Sequence, residues 1–295
     1  MKKNLFRRLG TVICTAAVSV SALAMFAGCS TKHPEITINY EFDGKKYAVD
    51  YVLSRNDAPQ TVQHFIELAN AGFYDGTIIH DYRSSFLYGG GYKIENGELT
   101  EIDYYSTVKT LEEEGNTFTQ SVWTLDDTPL YTVYGEFFSN GTRNQYRTEN
   151  YHKAGALVMY YTDKGNYNGD VKVLRADGGK GNDGNPYQET KYPKNSATSL
   201  FYTYTSTASQ GTLDDNYSVF GMAKDYEGQL ENGLLKAIND YTKTLAEDVS
   251  FTTEVNWRLN RYEPFEALNK GDIDATFNVP LEKQIVITSV KVNKY

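Results

Sequence analysis

Two runs near opposite ends of this 295-residue chain alternate apolar and polar residues, and that period of two limits the architecture more than any other feature of the sequence. The first, ITINYEFDGKKYAVDYVL (36–53), alternates on both sides of Asp43-Gly44, a pair that tolerates the left-handed backbone of a tight hairpin turn. The second, QIVITSVKV (284–292), sets Ile285, Ile287 and Val290 or Val292 against polar neighbours. Successive side chains on a strand point to opposite faces, so each run has one apolar and one wet face, as antiparallel sheets do. The helical period shows in two places only. Asp57-Ala58-Pro59 opens a segment with Val62, Phe65, Ile66 and Ala69 on one face, Pro59 in the first turn and Gly72 as the stop. A second helix is expected over about 228–243, where Leu230, Leu234, Leu235, Ile238 and Tyr241 share a face.

With 40% hydrophobic and 23% charged residues the chain is able to bury a core, and its net charge of −9 argues against a nucleic-acid duplex, whose phosphates need a basic face. Three stretches, 93–130, 163–197 and 243–279, interrupt the pattern and read as insertions. The middle one, rich in Gly, Asn, Asp and Lys, is expected to be a long surface loop. The four histidines (33, 64, 80 and 152) lack metal-ligand spacing, and no phosphate loop or Ser-His-Asp arrangement is present, so neither a metal nor a cofactor is expected.

Residues 1–28 read as an export signal, with Lys2, Lys3, Arg7 and Arg8 ahead of an uncharged apolar stretch. It ends in Ala27-Gly28-Cys29, which resembles a bacterial lipobox, although Phe26 stands where Leu is usual. Lipidation of Cys29 would leave no cysteine for a disulfide in the mature chain, since Cys14 lies in the removed segment. The expected organisation is a signal over 1–28, a tether over 29–35 and one domain over 36–295, held at a bacterial cell membrane outside the cytoplasm.

The run APQTVQHFIELANAGFYDGTIIHDYRSSFLYGGGY (58–92) resembles the cyclophilin family of peptidyl-prolyl isomerases, through Ala58, Pro59, Thr61, Val62, Phe65, Leu68, Gly72 to Thr77, His80 and Phe86. VYGEFFSNGTRNQYRTENYHKAGALVMYY (133–161) is similar to the bacterial form of the family through Gly135-Glu136-Phe137, Asn140, Gly141, Asn144, His152, Gly155 and Met159. LDDNYSVFGMA (213–223) and PLEKQIVITSVKV (280–292) resemble two later blocks, in family order. The resemblance implies an all-β-dominated fold, a closed barrel of eight antiparallel strands with a helix over each end, carrying the three insertions. It also implies proline-containing polypeptides as partners.

Rotation about an X–Pro bond crosses a barrier of about 18–20 kcal/mol between isomers that differ by only about 0.5–1 kcal/mol. The chemistry therefore needs an apolar socket for the proline ring and a hydrogen-bond donor that favours the twisted amide. In the family that donor is an Arg directly after a His, and here the position holds Asp81, an acceptor only when ionised. Arg83, two residues on and on the same strand face, is the candidate catalytic residue in its place. By resemblance Phe86, Leu87, Phe201 and Leu213 form the apolar floor, with Tyr160 and Tyr161 in the substrate groove and Tyr217 at a cleft His position. His80 and His152 also match family positions, and His80 is counted with the substrate-binding set. A family Gln falls on Gly89, or on Tyr88 if one residue is deleted, and Ser199 and Thr212 replace a second Gln and a Trp. The expectation is a monomeric, membrane-anchored prolyl isomerase of weak activity that assists folding of exported proteins. The alternative is a catalytically impaired module or holdase at the cell surface that binds proline-containing segments.

Overall fold

The computed structural model describes residues 31–140, 150–160, 169–174, 184–192, 196–208, 211–258 and 274–295. Nine antiparallel strands form the main sheet: β1 (Glu35–Phe42), β2 (Lys45–Leu53), β3 (Thr77–Ile78), β4 (Asp81–Arg83), β5 (Phe86–Gly89), β6 (Ala156–Met159), β7 (Phe201–Tyr204), β8 (Ser218–Ala223) and β9 (Val286–Lys294). Their order is β3-β9-β1-β2-β8-β6-β7-β5-β4. The strands at its two ends, β3 and β4, are separated in sequence only by Ile79 and His80. Ile79 N–H donates to Ile285 O on one side at 2.9 Å, and His80 N–H donates to Tyr88 O on the other at 3.0 Å. The run 77–83 is thus bonded to the last strand at its start and to β5 at its end.

The period of two decides which side of each strand is buried. Ile36, Ile38, Tyr40 and Phe42 on β1, Val49, Tyr51 and Leu53 on β2, and Ile287 and Val290 on β9 all enter one core. The hairpin turns at Asp43-Gly44, both with positive φ, as the sequence predicts. Helix α1 (Pro59–Asn70) lays Val62, Phe65, Ile66, Leu68 and Ala69 on this core, each worth about 1.5–3 kcal/mol when a large side chain is fully buried. Phe65 packs within 4.9 Å of Tyr74, 5.6 Å of Phe201 and 5.1 Å of Phe220, ring centre to ring centre. The N-cap residue of α1, Ala58, has no side-chain oxygen to give. Glu136 supplies it from a distance: its carboxylate accepts from Gln60 N–H (3.0 Å), Thr61 N–H (2.8 Å) and the Thr61 hydroxyl (2.7 Å). These are otherwise orphaned donors at the positive end of the helix dipole. Gly72, at φ +73, ends the helix where the sequence places its stop.

The insertions are more regular than expected. The first contains a hairpin (Tyr92–Glu95 with Glu98–Glu101), helix α2 (Tyr104–Glu113) and a strand (Val122–Thr124). The middle stretch is not simply a loop. Asp170–Leu174 pairs with Tyr187–Lys191 and with Val122–Thr124, because DVKVL alternates and buries Val171 and Val173. In the third, Thr253–Arg258 pairs with Asp274–Val279, and this hairpin packs with the first one around Tyr92, Leu99, Trp257 and Phe277. The single helix expected over 228–243 is two, α4 (Tyr226–Glu231) and α5 (Leu234–Thr244), after a one-turn α3 (Gly211–Asp214). Asn232 and Gly233 separate them, and Leu230, expected on the buried face, is 50% exposed. Five helices among the described residues replace the two expected. The expected tether is fixed from Thr31 onward: Thr31 N–H donates to Tyr295 O at 2.8 Å, and Lys32 and Pro34 carbonyls accept from Arg55 and Leu53.

Candidate active site

On β5 to β8 the side chains that alternate away from the core form a second apolar surface. Leu87, Leu157, Phe201 and Phe220 point inward, whereas Phe86, Tyr88, Val158, Tyr202, Tyr204 and Val219 point outward and cluster with Tyr160 and Tyr217. Tyr202 lies opposite Tyr88 in the β7–β5 register, and Tyr204 opposite Phe86. Phe86 and Tyr88 stack at 5.6 Å with their planes 20° apart, Tyr88 meets Tyr202 at 5.1 Å, and Tyr160 and Tyr217 stand nearly parallel at 6.2 Å. Offset and edge-on rings at these separations attract one another beyond their area burial.

A hydrogen-bond chain fixes this surface from beneath. His152 is fully buried, and both its backbone N–H (2.7 Å) and Nδ1 (2.6 Å) approach Asp214 Oδ1. The carboxylate accepts, so Nδ1 carries a proton, and Nε2 is hydrogen-bonded to the Tyr202 hydroxyl at 2.7 Å. Burial raises the Tyr202 phenol well above its ordinary range. Tyr88 is also raised, by burial first and by the nearby Tyr160, with Arg83 pulling the other way.

Arg83 stands at the rim, half-exposed, its guanidinium carbon 6.0 Å from the centre of the Tyr88 ring. Its Nε donates to Asp81 Oδ2 at 2.7 Å and its Nη2 to Thr276 O at 3.3 Å. Asp81 is buried, and its other oxygen accepts from Asn278 N–H at 2.9 Å. The acid therefore pins the 274–279 strand of the third insertion to β4 and holds Arg83 beside the aromatic surface.

The expected site residues divide accordingly. Phe86, Tyr160 and Tyr217 share the outward surface, with Arg83 at its edge. Leu87 and Phe201 lie on the opposite, inward face and belong to the main core. His80 is buried between Tyr92 (4.3 Å) and Phe277 (5.1 Å), its Nδ1 without a partner and its pKa lowered to about 3 by burial. Leu213 is half-buried on α3, and its carbonyl accepts from Tyr217 N–H at 2.9 Å. Tyr161 and Cys29 lie outside the described residues. The buried Tyr202 escapes the sequence reading, as does the role of Asp214, and Tyr88 enters it only as an alternative position for a family Gln. Alternation was the available signal: once Phe201 is inward, Tyr202 is outward. Gly89 likewise faces inward, where a Cβ would meet Ile79 at 3.1 Å and Ile287 at 3.4 Å, so Tyr88 holds the outward position on that strand.

Residues 37–170 match the family described as cyclophilin type peptidyl-prolyl cis-trans isomerase/CLD. No curated protein matches the chain. Among solved structures, it is similar to a Cryptosporidium parvum cyclophilin type peptidyl-prolyl cis-trans isomerase, at 13% identity and a TM-score of 0.41 over 89% of this chain and 99% of that one. The same parasite protein in the presence of the dipeptide Ala-Pro gives 13% identity and 0.41, over 88% and 99%. The Mimivirus cyclophilin gives 13% identity and 0.44, over 90% and 92%.

Proposed function

We propose that this protein catalyses cis–trans isomerisation of X–Pro bonds in exported polypeptides, with the proline ring seated on the outward surface of Phe86, Tyr88, Tyr160 and Tyr217. The observation that carries this reading is the convergence of those rings with Arg83 on one face of a cyclophilin-type sheet. Aromatic grooves suit proline because its ring is rigid and presents apolar edges at little entropic cost. No nucleophile or cofactor is required, only better binding of the twisted amide than of the planar one. We read residues 77–83 as one strand that closes the sheet into an eight-stranded barrel, a reading supported by the bonds of Ile79 and His80 to either side. In the same proposal Cys29 carries lipid, which holds a monomeric enzyme at the outer side of the cell membrane, tested by incorporation of labelled fatty acid into wild type and not into Cys29→Ser.

Exchange spectroscopy on an X–Pro peptide tests the activity. Acceleration by micromolar protein, lowered about tenfold or more in Arg83→Ala, is expected, because Arg83 is seated against the Tyr88 ring at the edge of this face. No acceleration by the wild type would sink the isomerase reading. The second reading, a module that binds proline-containing segments without turning them over, is favoured by one feature: Arg83 is engaged by Asp81 and Thr276 rather than free. Peptide binding without exchange would select it.

A further inference from the structure

We propose that the Tyr88 hydroxyl is the hydrogen-bond donor to the rotating imide nitrogen, with Arg83 a positioning residue seated against its ring. The proposal rests on the isomerase reading and deepens it.

The observations concern where each donor on this surface is spent. The Tyr202 hydroxyl is engaged with His152 Nε2, and the Tyr204 hydroxyl donates to Ala208 O at 2.8 Å. Arg83 is held by a carboxylate at 2.7 Å, which neutralises its charge, and by a carbonyl oxygen. Tyr88 differs. Its ring is fixed on four sides by Phe86, Tyr160, Tyr202 and Arg83, yet its hydroxyl makes no hydrogen bond among the described residues. It is also absent from the buried polar atoms left without a partner, so it reaches solvent instead of being orphaned. A donor whose ring is immobilised and whose hydroxyl has no protein partner among the described residues is preorganised to meet a bound substrate.

In the planar imide the nitrogen lone pair is delocalised and accepts poorly. As the C–N bond twists, resonance is lost, the nitrogen becomes pyramidal, and its lone pair accepts from Tyr88 O–H. The bond forms in the transition state and lapses on either side, with no covalent bond made or broken and no proton transferred. Such an interaction lowers the barrier without tightening ground-state binding. Arg83 acts through the ring: it holds Tyr88 in its outward position across the edge of the sheet.

Tyr88→Phe removes one oxygen and keeps the ring contacts. Exchange spectroscopy at several concentrations of an X–Pro peptide is expected to show kcat lowered about tenfold, the size of one hydrogen bond made only in the transition state, with KM and peptide affinity unchanged. Arg83→Lys, which keeps a cation beside the ring, is expected to retain most of the kcat that Arg83→Ala loses. A wild type that turns over and a Tyr88→Phe protein that is equally fast, or that loses affinity at constant kcat, overturns this assignment and leaves the isomerase reading standing. A wild type with no turnover overturns both. Independently of any variant, protein carrying 13C at tyrosine Cζ is expected to show a shifted Tyr88 resonance on saturation with the peptide, because the bound proline packs against that ring, and an unmoved resonance overturns the assignment by placing the peptide elsewhere.

Discussion

Two acids, Asp81 and Glu136, hold together segments that are far apart in the chain, and neither role belongs to the residue alone. Glu136 closes the open end of α1 with three accepted hydrogen bonds, and its carboxylate is almost fully buried. Glu136→Ala leaves those donors facing a cavity, at a cost of about 2–3 kcal/mol, the loss of a cap plus a buried unsatisfied donor. Urea unfolding should therefore show a lower midpoint with an unchanged slope. The glutamate was visible in the sequence as part of Gly135-Glu136-Phe137, but its partners Gln60 and Thr61 lie 76 and 75 residues earlier, on a helix that carries no sequence mark of a missing cap. Asp81 was visible in the same partial way. It reads as the loss of a catalytic cation, and the structure shows what the acid gains: Asn278, on an insertion whose course no local pattern predicts.

At the scale of elements, legibility followed length. The hairpin over 36–53, α1 and the final strand each run for eight residues or more, long enough for a period to declare itself, and the structure places all three where the sequence does. Strands of three to five residues carry one or two alternations, which turn-rich surroundings hide, and the Asp170–Leu174 pairing was missed for that reason. Asn96-Gly97, flanked by YKIE and ELTE, was a readable hairpin signal that went unused, and both residues take positive φ. The inward or outward sense of a short strand is hardest of all, since a one-residue slip exchanges its faces, and Leu87 and Phe201 turned inward on that account. Where β5 passes the chain ahead of β7, Gly90 has φ +92 and a Cβ there would run into the Ser199 carbonyl oxygen. Gly90→Ala combines backbone strain with overpacking against main chain, about 3 kcal/mol or more, and should lower the melting temperature by more than Gly97→Ala, which also has positive φ but meets nothing within 4 Å.

For the whole molecule, acid is the condition to which the core is most exposed. Burial lowers His64 to about 4 and His80 to about 3, against an ordinary value of 6.5. Both are neutral when folded and take up protons only on unfolding, so their contribution is fully present above about pH 6.5. It is lost as pH falls from there toward the folded values, at up to about 1.4 kcal/mol per pH unit for each group. Melting temperatures measured from pH 7 to pH 4.5 should fall, and His80→Phe, which fills the slot between Tyr92 and Phe277 without an orphaned nitrogen, should fall less steeply.

The hydrogen bond between Thr31 and Tyr295 brings the two ends of the described chain to the same margin of the β1–β9 ladder, where Glu35 faces Lys294. A force drawing those ends apart would load the ladder one rung at a time, as a zipper opens, rather than across all its rungs together. Tension between its ends would thus open this protein far more readily than its buried core suggests.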